Sequence, residues 1–233
     1  MAITLNGNTG VNITAGNLAV PAGTTSVAPL SLTSGTNLAT ATAGSVEYDG
    51  KTMLFTPQGK QRGVIPGMQA YFLNSGYVGN TGTADQPIFG VGVTLSSNTV
   101  YRFVANFGMS KTAGVQSHTL GLAFGGTATL NNIAYEPISN WRTIGFTGLS
   151  APDNIAYIQT ASSTVVTTAG ATSARQFIAV YKGVVSINAG GTFIPNYTLS
   201  ASPTGAYTTA AGSFFEIWPI GASGSNVSIG AWA

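Results

Sequence analysis

Alternation of apolar and polar side chains, the period of a half-buried β-strand, is the dominant pattern along this chain. It is clearest in Val100-Tyr101-Arg102-Phe103-Val104-Ala105-Asn106-Phe107. There Tyr101, Phe103, Ala105 and Phe107 share one face, with Val100, Arg102, Val104 and Asn106 on the other. The C-terminal part continues in the same style, with Gln176-Phe177-Ile178-Ala179-Val180-Tyr181-Lys182-Gly183-Val184-Val185-Ser186-Ile187-Asn188 followed by Gly191-Thr192-Phe193-Ile194-Pro195-Asn196-Tyr197-Thr198-Leu199. After Pro203 come Phe214-Phe215-Glu216-Ile217-Trp218-Pro219-Ile220 and the apolar ending Val227-Ser228-Ile229-Gly230-Ala231-Trp232-Ala233. Gly, Pro, Asn and Ser punctuate these runs, which is the signal for consecutive strands and tight turns.

Other strands are expected at 68–73, 88–95, 99–109, 119–124, 128–135, 141–146, 155–159 and 164–168. A hairpin is expected where Val46-Glu47-Tyr48 and Met53-Leu54-Phe55 flank Asp49-Gly50. No stretch has a convincing helical period, and no repeat of solenoid or propeller length is visible. The fold class expected is therefore all-β: an antiparallel β-sandwich, jelly-roll-like, occupying residues 43–233. Residues 1–42 are different. Ile3-Thr4-Leu5, Val11-Asn12-Ile13, Asn17-Leu18-Ala19-Val20 and Leu30-Ser31-Leu32 alternate weakly among Gly, Thr and Asn. So light a segment buries little by itself, so it reads either as an extended N-terminal arm that pairs with another chain or as a plain linker.

Composition sharpens this picture. Charged residues make up 6% of the chain, against about 25% in an ordinary soluble domain. The net charge is +2 and the eight basic residues are scattered, so there is no basic surface for nucleic acid. With 44% hydrophobic and 10% aromatic residues the chain can support a core. A surface so poor in charge points to burial in a multimer or larger particle, or to a surface of hydroxyls and amides. No window approaches the roughly 18 apolar residues of a membrane span. The opening Met1-Ala2-Ile3-Thr4 has neither the basic region nor the apolar core of a secretion signal. The absence of Cys removes disulfides, thiolate metal sites and Cys nucleophiles together.

Candidate chemistry is sparse, and neither catalysis nor a cofactor is expected. Of the six acids, Glu47 and Asp49 are close enough in sequence to share a strand face, but Asp49 before Gly50 is better explained as a turn residue. His118 is the single histidine; no Gly-x-Ser-x-Gly elbow supports a triad around it. Gly90-Val91-Gly92 and Gly125-Gly126 lack the phosphate-loop pattern. The sequons at Asn12, Asn196 and Asn226 are what chance gives in an Asn/Ser/Thr-rich chain. Phe177, Tyr181, Phe214, Ile217 and Trp218 are the expected core or interface anchors, and Trp232 is expected to be pinned against the body. Tyr77 and Trp141 are the expected aromatic contacts if a glycan is bound.

Two stretches resemble structural proteins of tailed bacteriophages, in particular tail-fibre-like and capsid-decorating proteins of marine and cyanobacterial phages. One is Ala43-Gly44-Ser45-Val46-Glu47-Tyr48-Asp49-Gly50 with Leu54-Phe55-Thr56-Pro57 and Arg62-Gly63. The other comprises Lys182-Gly183-Val184-Val185, Gly191-Thr192-Phe193-Ile194-Pro195, Leu199-Ser200, Pro203 and Gly212-Ser213-Phe214-Phe215. The resemblance implies a homotrimeric β-sandwich located in the virion, with an N-terminal segment for attachment or trimer formation and no catalytic residues. Its partners would be its own copies and other capsid or tail proteins. A host-surface glycan would be a further partner if the chain forms a fibre tip. Full fibres are usually much longer, which favours a decorating or cement protein, or a tip. On a three-fold axis, three copies of His118 could meet around a metal ion or an anion.

Overall fold

Alternate β-branched and aromatic residues favour extended backbone, and among the described residues of a computed structural model there is no helix. That description covers residues 20, 22–143, 154–171, 174–224, 226, 228–230 and 232, without the side chains of 141–143 and 154–155. The strands expected at 3–5, 11–13 and 17–19, and the end of the one at 141–146, lie outside it, as does the Asn12 sequon.

Among the described residues sixteen strands follow in order. The first eight are β1 (Val46–Tyr48), β2 (Met53–Phe55), β3 (Gly63–Ile65), β4 (Gln69–Phe72), β5 (Tyr77–Val78), β6 (Gln86–Pro87), β7 (Val93–Leu95) and β8 (Thr99–Lys111). The rest are β9 (Leu120–Gly125), β10 (Thr129–Thr143), β11 (Asn154–Ile155), β12 (Thr164–Val165), β13 (Arg175–Ala189), β14 (Gly191–Leu199), β15 (Thr208–Thr209) and β16 (Phe214–Ala222). All pairings are antiparallel. A large eight-stranded sheet runs β11-β10-β13-β8; one side of β8 then pairs with β16, which carries β4 at its outer edge, and with β15, which carries β5. A facing five-stranded sheet has β14 at its centre, flanked by β9 and β12 on one side and by β6 and β7 on the other. β1, β2 and β3 form a separate three-stranded sheet.

The two larger sheets meet across an aromatic layer. Phe103 on β8 lies 5.3 Å from Phe124, 6.0 Å from Phe193 and 6.0 Å from Phe215, measured between ring centroids. Phe124 and Phe193 stack at 4.8 Å with an 11° interplanar angle. The alternation in β8 holds to its end: Tyr101, Phe103, Ala105, Phe107, Met109 and Lys111 are all buried. Phe177, Tyr181 and Ile217 are buried core anchors, as expected. Phe214 and Trp218 are half-buried on the opposite, outer face of β16. Trp232 departs from expectation. It is 79% exposed, because its indole N–H is satisfied locally by the Ile229 carbonyl at 2.7 Å and its ring is not drawn into the core.

Two expected strands merge into one. All but the first residue of the strand expected at 128–135, and the start of that at 141–146, belong to the continuous β10, which passes through Pro137. Tyr135 exchanges both backbone bonds with Ile158, on the side away from β13. Alternation places the Pro137 nitrogen on that same side, so its missing N–H leaves the ladder to β13 intact. The expected strand 88–95 is broken for a matching reason. Gly90 has φ +75°, and a Cβ there would lie 2.5 Å from the Tyr77 ring, so the chain turns before resuming as β7.

Gly183 sits in register opposite both Phe103 and Tyr135 on the inner face. A Cβ at Gly183 would fall 2.5 Å from Phe103 Cζ and 2.6 Å from Tyr135 Cβ, whereas one at Gly108 would meet nothing within 4 Å. Gly183→Ala should therefore lower stability by about 1–3 kcal/mol through overpacking. Gly108→Ala should cost little, and urea unfolding of the two variants side by side checks the contrast.

Candidate functional site

Burial, charge and exposure single out three regions. The first is the outer face of the large sheet. Its cross-strand rows follow from the register: Phe72–Phe214–Asn106–Val180–Ile138 in one, Glu216–Val104–Lys182–Glu136 in the next, and Trp218–Arg102–Val184–Ala134 beyond it. Phe72 is 54% exposed, Ile138 43% and Val184 37%, and no described element covers them. The Arg102 guanidinium lies over the Trp218 ring at 5.8 Å, where it shields the indole and keeps its own charge in water. The acids and bases of the middle row alternate across the sheet, so the face is apolar with a mixed-sign stripe.

The second region is a basic cluster at one end of the sandwich. Lys111 ends the inward series of β8 and is 2% exposed. Its ammonium donates to the carbonyls of Ala113 and Gly114 at 3.2 and 2.6 Å. Arg175 is its register partner on β13 and lies against Gly170, which bridges to His118. The carbonyl of Gln116 can only accept, so His118 Nδ1–H donates to it at 2.7 Å, and Nε2 accepts the Tyr207 hydroxyl at 2.9 Å. Both ring nitrogens are thus engaged in structural bonds. At 1% exposure, His118 lies inside the folded chain, which removes the arrangement of three copies around an ion on an axis. Among the described residues no three His, Cys, Asp or Glu side chains gather in a way that could hold a metal.

The third region is a polar cavity of ≈ 610 Å³ between the three-stranded sheet and the C-terminal tail, lined by Asn37, Asp49, Lys60, Arg62 and Asn226 among others. Its walls are fixed by charge. Arg62 forms a bidentate ion pair with Glu47 at 2.8 and 3.1 Å and also donates to the Leu38 carbonyl, while Glu47 accepts the Leu38 amide. Asp49 is the turn residue that the Asp-Gly pair announces, accepting the Lys51 and Thr52 amides at 2.8 and 2.7 Å. Burial alone would push the Asp49 carboxyl up; hydrogen bonds from Thr52, Lys51 and Asn37 outweigh it and hold the carboxyl below its ordinary value. Glu47 and Asp49 are thus committed to separate structural tasks and do not face a common substrate space. Gly230 lines this cavity next to the Arg62 carbonyl, and the exposed Trp232 sits beside the lining residues Gly230 and Ile229.

The expected glycan contacts fare differently. Tyr77 is half-buried, with its ring over Gly90, and packs against the core. Trp141 is placed in β10 opposite Phe177, and its side chain lies outside the described residues. Sequence reasoning missed Lys111, although the period-two count from Tyr101 puts it on the inner face. It also missed the pairing of His118 with Tyr207, which are far apart in the chain and carry no local signal.

Burial pushes the His118 pKa down, and the nearby Lys111 and Arg175 charges add to this against the opposing Gln116 bond. The unfolded chain, with an ordinary value near 6.5, therefore binds the proton first. Stability should be complete above that pH and decline as pH falls through it toward the lower folded value. Thermal unfolding between pH 8 and 5 should show this loss in the natural chain and a flatter profile in His118→Gln. No protein-family model matches the chain, and comparisons with curated proteins and with solved structures find no similar protein.

Proposed function

We propose that this chain is a structural component of a bacteriophage virion. In this reading a homotrimeric, jelly-roll-like β-sandwich decorates or cements the capsid or forms part of a short fibre. The observation that carries the reading is the uncovered apolar face of the large sheet, in a protein with 6% charged residues. Phe72, Phe214, Val180 and Ile138 on one side of the charged stripe and Val184 on the other offer apolar area of the kind that copies bury against one another. Glu136, Lys182 and Glu216 place both signs of charge on that face, so one copy can meet another without like-charge repulsion. The particle comes from the residues that resemble phage virion proteins: of the first stretch Glu47 lies in the three-stranded sheet and is paired with Arg62, and of the second Phe193 packs in the core while Gly183 leaves room for Phe103.

Sedimentation at micromolar concentration should give a trimer. Ile138→Lys combined with Val184→Lys should lower the mass to that of one chain while the unfolding transition persists, since both side chains face outward. A monodisperse monomer for the natural chain overturns the reading.

A second reading, a carbohydrate-binding module at a fibre tip, is favoured by one feature. Trp232 offers an exposed indole plate beside a cavity lined with amide, hydroxyl and charged groups, the combination that sugars use for stacking and hydrogen bonding. A glycan array should then show saccharide binding that falls at least tenfold in Trp232→Ala and is unchanged in Tyr77→Phe. A flat array removes this reading.

A further inference from the structure

The large sheet ends on one side at β4, whose four residues are all exposed and which pairs on its inner side alone, with β16. Exposed strand edges attract other strands unless something covers them. Beside this edge the sandwich opens into a slot of ≈ 300 Å³ lined by Tyr71, Phe89, Val91, Val93, Phe215 and Ile217. The slot contains no charged side chain. Tyr71 and Val91 at its mouth are each 41% exposed.

The same chain carries a segment suited to it. Residues 22–34 form no strand, and their described backbone bonding is one turn, from the Thr24 amide to the Val27 carbonyl. Leu30 and Leu32 are 64% and 41% exposed, spaced so that both fall on one face of an extended strand, with Ser31 and Thr33 on the other. Among the described residues the amides of 30–33 have no hydrogen-bond partner. Leu30-Ser31-Leu32-Thr33 contains neither Pro nor Gly and matches the four residues of β4 in length. No charge precedes Glu47, so neither donor nor slot would desolvate an ion on contact.

We infer that residues 30–33 of one copy add as an extra strand to the β4 edge of a second copy, with Leu30 and Leu32 in its slot. This rests on the self-association reading above and names the residues that would join the copies. Gly35 is tied to Tyr48 by a 2.9 Å backbone bond, so the donor strand begins two residues from a fixed point. Two residues of extended chain span about 7 Å, so the slot of the accepting copy must lie beside the three-stranded sheet of the donor. Such a contact is head-to-tail: each copy gives an arm and receives one, and a rotation that closes yields a ring.

The absence of Cys makes the test clean. In Leu32→Cys combined with Val91→Cys, mild oxidation of the full chain should give disulfide-linked species at two and three times the chain mass on denaturing gels. In a separate variant, Leu30→Asp with Leu32→Asp should weaken association at least tenfold in sedimentation. Its unfolding transition should stay in place, because both leucines are exposed. A disulfide confined to single chains would mean that the arm folds back on its own edge, which overturns the inference. An undiminished trimer in the Asp variant, or no disulfide at all, also overturns it while leaving the trimeric reading standing. A natural chain that sediments as a monomer removes both.

Discussion

A buried aromatic layer between two sheets is the constraint on which the rest of this structure depends. Phe103 stands at its centre, within 6.2 Å of Phe124, Tyr181, Phe193 and Phe215, and each of these comes from a different strand. Rings of this size dominate burial, and their edge-to-face contacts add direction to it. In most half-buried sheets a one-residue slip is penalised because it brings charges into the core. Here the outer face carries Arg102, Lys182, Glu136 and Glu216 among apolar side chains, so charge penalises a slip in part. Volume adds to it: the inner face of β13 needs a missing side chain at Gly183 and rings at Phe177 and Tyr181, and a slip would put the Lys182 charge or the Val184 side chain against Phe103.

The few charges act as fasteners more than as solubilising groups. Arg62 and Glu47 tie the stretch around Leu38 to the three-stranded sheet through both side-chain and backbone bonds. Lys51 reaches across to the Ser97 carbonyl at 3.1 Å, linking that sheet to the loop before β8. Lys111 is buried on backbone carbonyls, which keep an otherwise costly ammonium solvated by dipoles. With Arg62, Glu47, Lys51 and Lys111 spent in this way, the molecule meets its surroundings mainly with hydroxyls, amides and aliphatic groups and with the few charges left outside, such as Arg102, Glu136 and Lys182.

Much of the fold was legible because long strands with period-two alternation carry their own evidence: β8, β13, β14 and β16 stand where Tyr101, Phe177, Phe193 and Phe215 put them. The Asp49-Gly50 turn was legible for the same local reason. What the sequence hid is non-local. Nothing near Thr208 indicates that it pairs with Ser110, nor does Phe214 announce Asn106 as a neighbour. That the strands expected at 128–135 and 141–146 join through Pro137 depends on which side of the strand has a partner, a tertiary fact. The candidate regions were less legible than the core. The outer face becomes a surface only once five strands are laid side by side, and the polar cavity needs residues from both ends of the chain.

Pro137 has one more effect. The large sheet has two lateral margins, and they are chemically unequal. On the β10 side, a proline without an N–H and the short cover of residues 154–158 leave little for another strand to read. On the β4 side the backbone is open. A sheet sealed at one margin cannot stack on itself edge to edge without end, because every growing row would soon present its closed side. In a protein so poor in charge, that asymmetry is a safeguard against runaway fibre growth, and it confines strand addition to a single sense.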